Sequence, residues 1–144
     1  SLNHPAGSIG KKVTLKVEDL MFRNQAIPLA DPSDKLIDVL FELSDKKCGA
    51  ILIVDRTKKL LGIFTDGDLR RALQVRGASA LEQSMRDLMT SSTVVVNRDL
   101  LAWDALALMQ KDPKRYITIL PVVLEDRTVI GILRMHDIVQ AGIA

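Results

Sequence analysis

The chain has 144 residues, 47% hydrophobic and only 3% aromatic, enough for one core or two small packed subdomains built from Ile, Leu, Val and Ala. Its 20 basic and 18 acidic residues leave a net charge of +2 and are interspersed, with no basic stripe, which argues against a nucleic-acid partner. The single Cys48 excludes an intrachain disulfide, and no stretch reads as a secretory signal or a membrane span, so a cytoplasmic location away from membranes is expected.

The chain starts at Ser1 rather than Met and reads as a piece of a longer polypeptide. A strand is expected at 27–29. After it, Asp31 or Ser33 is placed to cap a helix whose apolar residues Leu36, Val39, Leu40 and Leu43 follow the i, i+3, i+4, i+7 spacing. That helix should end near Gly49. A continuous apolar strand at 50–54, a polar turn at 55–59 and a second strand at 60–64 then lead into a helix from Asp66 to about Gln74. The same order returns downstream: a strand at 93–96, a helix carrying Ala102, Ala105, Leu108 and Met109, strands at 117–123 and 129–133, and a last helix from Met135. Pro121, inside a strand, suggests an edge or a kink facing a ligand.

The chain therefore says one thing twice. GIFTDGDL at 62–69 is matched by GILRMHDI at 131–138, and VEDLM at 17–21 by MRDLM at 85–89, and all along the chain matching positions stay 66 to 69 residues apart. In each copy a glycine precedes, by six residues, an acid on the first turn of a helix. A carboxylate there can accept both hydroxyls of a ribose, while a hydroxyl and the free N–H groups of the helix start face a phosphate. Thr65 and Asp68 suit those tasks in the first copy. The second keeps the acid as Asp137 but has Arg134 in place of threonine, with His136 beside it, so the two junctions should differ. Arg134 could pair with a phosphate or a carboxylate. The same Thr65 and Asp68 also have the spacing of a capping box, which needs no ligand.

Other residues read more plainly. His136 suits an exposed or capping histidine as well as a ligand contact, and Arg70 and Arg71 suit a solvated helix face. Cys48 suits a small core residue, and Trp103 a packing interface. The DGD string at 66–68 lacks the further carboxylates of a calcium loop, and no metal or resident cofactor is expected.

The repeated strand, helix, strand, strand, helix unit, with Gly, two apolar residues, Thr, two variable residues and Asp at its last junction, resembles a pair of CBS domains from Val17 onward. The resemblance implies an α+β fold: a tandem pair of β-α-β-β-α repeats, 17–79 and 80–144, with pseudo-twofold symmetry and clefts that in many members bind adenine nucleotides. The segment HPAGSIGKK at 4–12 resembles the end of the sugar-isomerase domain of the bacterial arabinose-5-phosphate isomerase family, as GIFTDGDLRR and MHDIVQAG resemble that family's C-terminal half. Members convert ribulose 5-phosphate to arabinose 5-phosphate, the entry to the lipopolysaccharide sugar Kdo, and their histidine in this stretch is assigned to the isomerase site. His4 is its counterpart here, with no isomerase fold around it.

This piece, with residues 1–16 as the end of the isomerase domain and a linker, is therefore expected to be non-catalytic. Two roles fit it. It could be a sensor whose nucleotide, an adenine nucleotide or the activated sugar CMP-Kdo, acts on the isomerase domain of the same chain, with Thr65, Asp68, Arg134, His136 and Asp137 as contacts. Or it could be a spacer with an empty cleft. Leu69, Leu73, Ile138 and Val139 on the junction helices suggest a homodimer or higher oligomer.

Overall fold

In a computed structural model, residues 14–45 and 48–143 are described. They run in the order α1 (Val17–Leu20), β1 (Leu29–Ala30), α2 (Leu36–Asp45), β2 (Ala50–Val54), β3 (Leu60–Thr65), α3 (Asp66–Arg76), α4 (Met85–Leu88), α5 (Ala102–Met109), β4 (Ile119–Val123), β5 (Val129–Arg134) and α6 (Met135–Gln140). β2 pairs in parallel with β1 and antiparallel with β3, while β4 and β5 form a second, antiparallel sheet. The expected α+β class is the one observed.

Period-two alternation divides the buried strands between cores. In β2, Ile51 and Ile53 turn with Phe64 toward Leu36, Val39 and Leu43 of α2. Ala50, Leu52 and Val54 turn the other way and meet Val123, Val129 and Ile132 of the second sheet. Cys48 lies in that same inter-sheet core, as its sequence position suggested. The two sheets also join edge to edge: the Leu60 amide donates to the Arg127 carbonyl oxygen at 3.0 Å, and the Val129 amide to that of Lys58 at 2.9 Å. This reciprocal contact lies on the pseudo-twofold. The two hairpin turns match as well, with Lys58 and Arg127 both at positive φ (65° and 75°).

The packing units are offset from the sequence repeat. Val17 and Met21 pack among Ala102, Ala105, Leu133 and Ile138 of the second copy, and Phe22 exchanges backbone hydrogen bonds with Ile132 at 2.9 and 3.1 Å. In the same way Met85 packs against the first copy, and Thr90 exchanges bonds with Ile63 at 2.9 and 2.8 Å. Gly62 and Gly131 are glycines because these segments cross directly above them. A Cβ on Gly62 would lie 2.7 Å from Met89 Sδ and 2.8 Å from the Thr90 carbonyl oxygen, and one on Gly131 would lie 3.0 Å from that of Phe22. Gly62→Ala is therefore expected to destabilise the fold by about 1–3 kcal/mol through overpacking. Denaturant unfolding measures this, and a loss below the error of the method would show that the crossing segment yields freely.

Some expected elements moved. β1 begins two residues later than the sequence suggested, and the Leu36 amide at the start of α2 donates to the Gln83 carbonyl oxygen at 2.9 Å. Asp31 and Ser33 instead bond each other in the preceding turn. The strand expected at 93–96 is reduced to a single parallel bridge, Val96 to Val122. Pro121 supplies the reason. In the first copy the Leu52 amide donates to the Pro28 carbonyl oxygen and holds the parallel ladder. Pro121 is the counterpart of Leu52, each facing the matching isoleucine of the neighbouring strand, and it has no N–H to give. It is thus an edge proline, outside the lining of the cleft described below.

Candidate functional site

The two strand-to-helix junctions open onto one cleft of about 1400 Å³. Each helix start hooks back onto the strand entry beside it: the Asp66 amide donates to the Gly49 carbonyl oxygen at 3.0 Å, and the Met135 amide to that of Thr118 at 2.8 Å. Gly49 has φ +75°, a conformation that favours glycine. These bonds fix where Thr65 and Arg134 stand, because both are the residue just before their helix.

At the first junction Thr65 Oγ1 accepts from the Asp68 amide at 3.2 Å, and Asp68 Oδ2 accepts from the Thr65 amide at 2.9 Å and from Thr65 Oγ1 at 3.1 Å. The capping box is therefore formed. The other oxygen, Oδ1, accepts from Arg71 Nη2 and from Thr90 Oγ1 at 3.4 Å. Asp68 is the one buried charged residue of the described core, 8% exposed, and every partner it has sits at this junction. Thr65, Asp68, Arg71 and Thr90 all line the cleft.

The second junction is built differently. Arg134 Nε and Nη2 reach the two oxygens of Asp137, each at 2.8 Å, and the guanidinium carbon lies 4.6 Å from the centre of the Phe22 ring. The hydrogen bonds to Asp137 hold the Arg134 guanidinium above its ordinary range despite partial burial. Arg134 and His136 line the cleft, but Asp137 does not.

The structure thus gathers Thr65, Asp68, Arg134 and His136 around one space and leaves Asp137 outside its lining. His4 lies outside the described residues. Among the polar cleft residues that sequence reasoning missed, three matter most for the site. Arg71, read as a solvated side chain, folds back three residues onto Asp68. Thr90 arrives from the crossing segment, and its place could have been found by aligning it with Phe22 through the VEDLM and MRDLM echoes. Arg115 comes from the loop before β4, which is longer than its counterpart and so has no match in the repeat.

The sequence profile of the CBS domain matches residues 17–75 and again residues 85–144. The chain belongs to the CBS-domain family. As a CBS pair it is 38% identical over 143 residues to arabinose 5-phosphate isomerase KdsD of Yersinia pestis, and equally to that of Escherichia coli K12, covering 99% of this chain and 42% of each relative. It spans about two fifths of the length of these curated relatives, matching their C-terminal CBS region. The crystal structure of CBSX2 in complex with AMP is similar at 31% identity, with a TM-score of 0.76 over 89% of this chain and 96% of that one. A CBS-domain protein of Agrobacterium tumefaciens, ATU1752, is similar at 27% identity, with a TM-score of 0.76 over 90% and 95%. Among the described residues no helix is long and apolar enough to cross a membrane, and no group of His, Cys, Asp and Glu side chains is placed to hold a metal.

Proposed function

We propose that this CBS pair is the regulatory module of an arabinose-5-phosphate isomerase and that it holds one class of ligand, a phosphorylated nucleoside, in the cleft between its two junctions. The observation that carries this is the placement of Asp68 Oδ1. Its partners Arg71 and Thr90 both face the cleft, and each can be exchanged for a ribose hydroxyl while Oδ2 stays in the capping box. Arg71, once displaced, joins Arg115 and His136 on the cleft wall, where a phosphate finds charge and hydrogen-bond donors. The AMP in the CBSX2 complex supports an adenine nucleotide. The KdsD relatives support CMP-Kdo, which offers a nucleoside together with a phosphate and a carboxylate.

In the whole protein, an N-terminal sugar-isomerase domain would convert ribulose 5-phosphate to arabinose 5-phosphate in the cytoplasm, as a step toward Kdo and lipopolysaccharide. His4 would lie at the end of that domain. A ligand that favours one arrangement of the CBS pair would then bias the isomerase by a coupling of about 1–3 kcal/mol. Thermal-shift screening against AMP, ATP, CMP and CMP-Kdo tests this reading. A rise of several degrees with at least one of them is expected, and flat melting curves with all four would defeat it.

The completed capping box favours one second reading, a spacer that needs no ligand. Both readings go with a homodimer. Ile138 is fully buried in its own core, but Ile37 and Phe41 on α2, Val75 on α3, and Trp103 and Val139 on the second copy, stay about half or more exposed, more apolar surface than scattered single residues need. Light scattering at high micromolar concentration is expected to give twice the monomer mass, and a monomer would count against it.

A further inference from the structure

We infer that the CBS pair takes one nucleotide per chain rather than two, because Arg134 closes the second junction; this rests on the nucleotide reading above. In the first copy the position before the helix holds a short hydroxyl, and Thr65, Asp68 and Thr90 all line the cleft. In the second copy the counterparts are Arg134, Asp137 and Phe22, and only Arg134 lines it. The side chain that lines the cleft there is the one that holds both Asp137 oxygens. Asp137 keeps about a fifth of its side-chain surface exposed but takes no part in the cleft lining.

The closure is held from two sides. Arg134 grips both oxygens of Asp137 with two nitrogens, the fork geometry that gives the strongest carboxylate pairs. Its plane also lies over Phe22, where a cation is attracted to the ring face. A ribose that sought Asp137 would have to undo both contacts and leave a permanently charged group to be solvated elsewhere. At the first junction the competing arginine, Arg71, offers a single nitrogen to Asp68 and is more than half exposed. It can swing into solvent or onto a phosphate. The difference between an open and a closed junction therefore traces to one exchange in the repeat, threonine at 65 against arginine at 134.

Isothermal titration of this chain with AMP as the probe tests the inference. The expected result is one site per chain, lost in Asp68→Ala and kept in Asp137→Asn. Arg134→Thr rebuilds the hydroxyl-and-acid spacing of the first copy and is expected to raise the stoichiometry to two. Arg134→Ser repeats the test if the threonine variant melts too low to titrate. Two sites in the unmodified chain, or one site that survives Asp68→Ala and disappears in Asp137→Asn, would overturn the inference, as would an unchanged stoichiometry in a folded Arg134 variant. If the unmodified chain binds no AMP, it is the nucleotide reading of the first junction that fails. Arg134→Thr then decides the closure separately: a newly created site supports it, and none overturns it.

Discussion

Ile132→Ala is expected to destabilise the whole protein by about 2–5 kcal/mol, seen as a fall in melting temperature of roughly 2–8 °C for each kcal/mol. Ile132 is fully buried at the plane where the two sheets meet, among Leu52, Ile63 and Val123, so truncation leaves a cavity that neither sheet can close alone. Its backbone is also the anchor for Phe22, which brings the opening segment of the first copy onto the second. Because both sheets line this core, the loss should appear as a single shifted transition, with both halves melting together. Two separated transitions would show that the copies fold independently and that the shared core is not what couples them. Glu125→Ala is the control: that side chain is exposed in the turn between β4 and β5, and its loss should stay within about 0.5 kcal/mol.

Ile132 also shows what could and could not be read from the sequence. Its burial follows from an apolar strand in a repeat, and period, element order and junction motif together were enough for the α+β class and the CBS pair. What the repeat hides is which copy each segment packs on. VEDLM opens the first copy in sequence but packs on the second, and MRDLM opens the second but packs on the first, because the segments cross over Gly131 and Gly62. Periodicity along a chain carries no information about such an exchange. The missing strand at 93–96 was half legible: Pro121 flagged an edge, but only its alignment with Leu52 shows which hydrogen bond is lost. The orientation of the charged side chains was the least legible. Arg71 and Arg134 occupy different positions relative to their acids, three residues after and three before, and both reach a carboxylate at i±3. Whether such an arginine opens or closes a cleft depends on what lies behind it, here Thr90 in one copy and Phe22 in the other.

Asp68→Ala should separate the structural role of this carboxylate from a binding role. Without ligand, the change removes the acceptor of the Thr65 amide and one side of the capping box, at a cost typical of a helix cap, about 0.5–2 kcal/mol. Arg71 loses its partner but is already more than half exposed, so no buried charge is stranded and the cost should stay in that range. With ligand the contrast is larger. A nucleotide at one hundred times its dissociation constant stabilises the folded state by about 2.7 kcal/mol, and that entire increment is expected to vanish with the acid. Thr65→Ala supplies the comparison, since it breaks the same cap while leaving the Asp68 carboxylate in place. If the carboxylate holds ribose, the two variants melt alike without ligand and diverge with it, Thr65→Ala keeping most of its shift. If both keep the full nucleotide-induced shift, Asp68 only caps α3, and the ligand is held by other residues of the cleft.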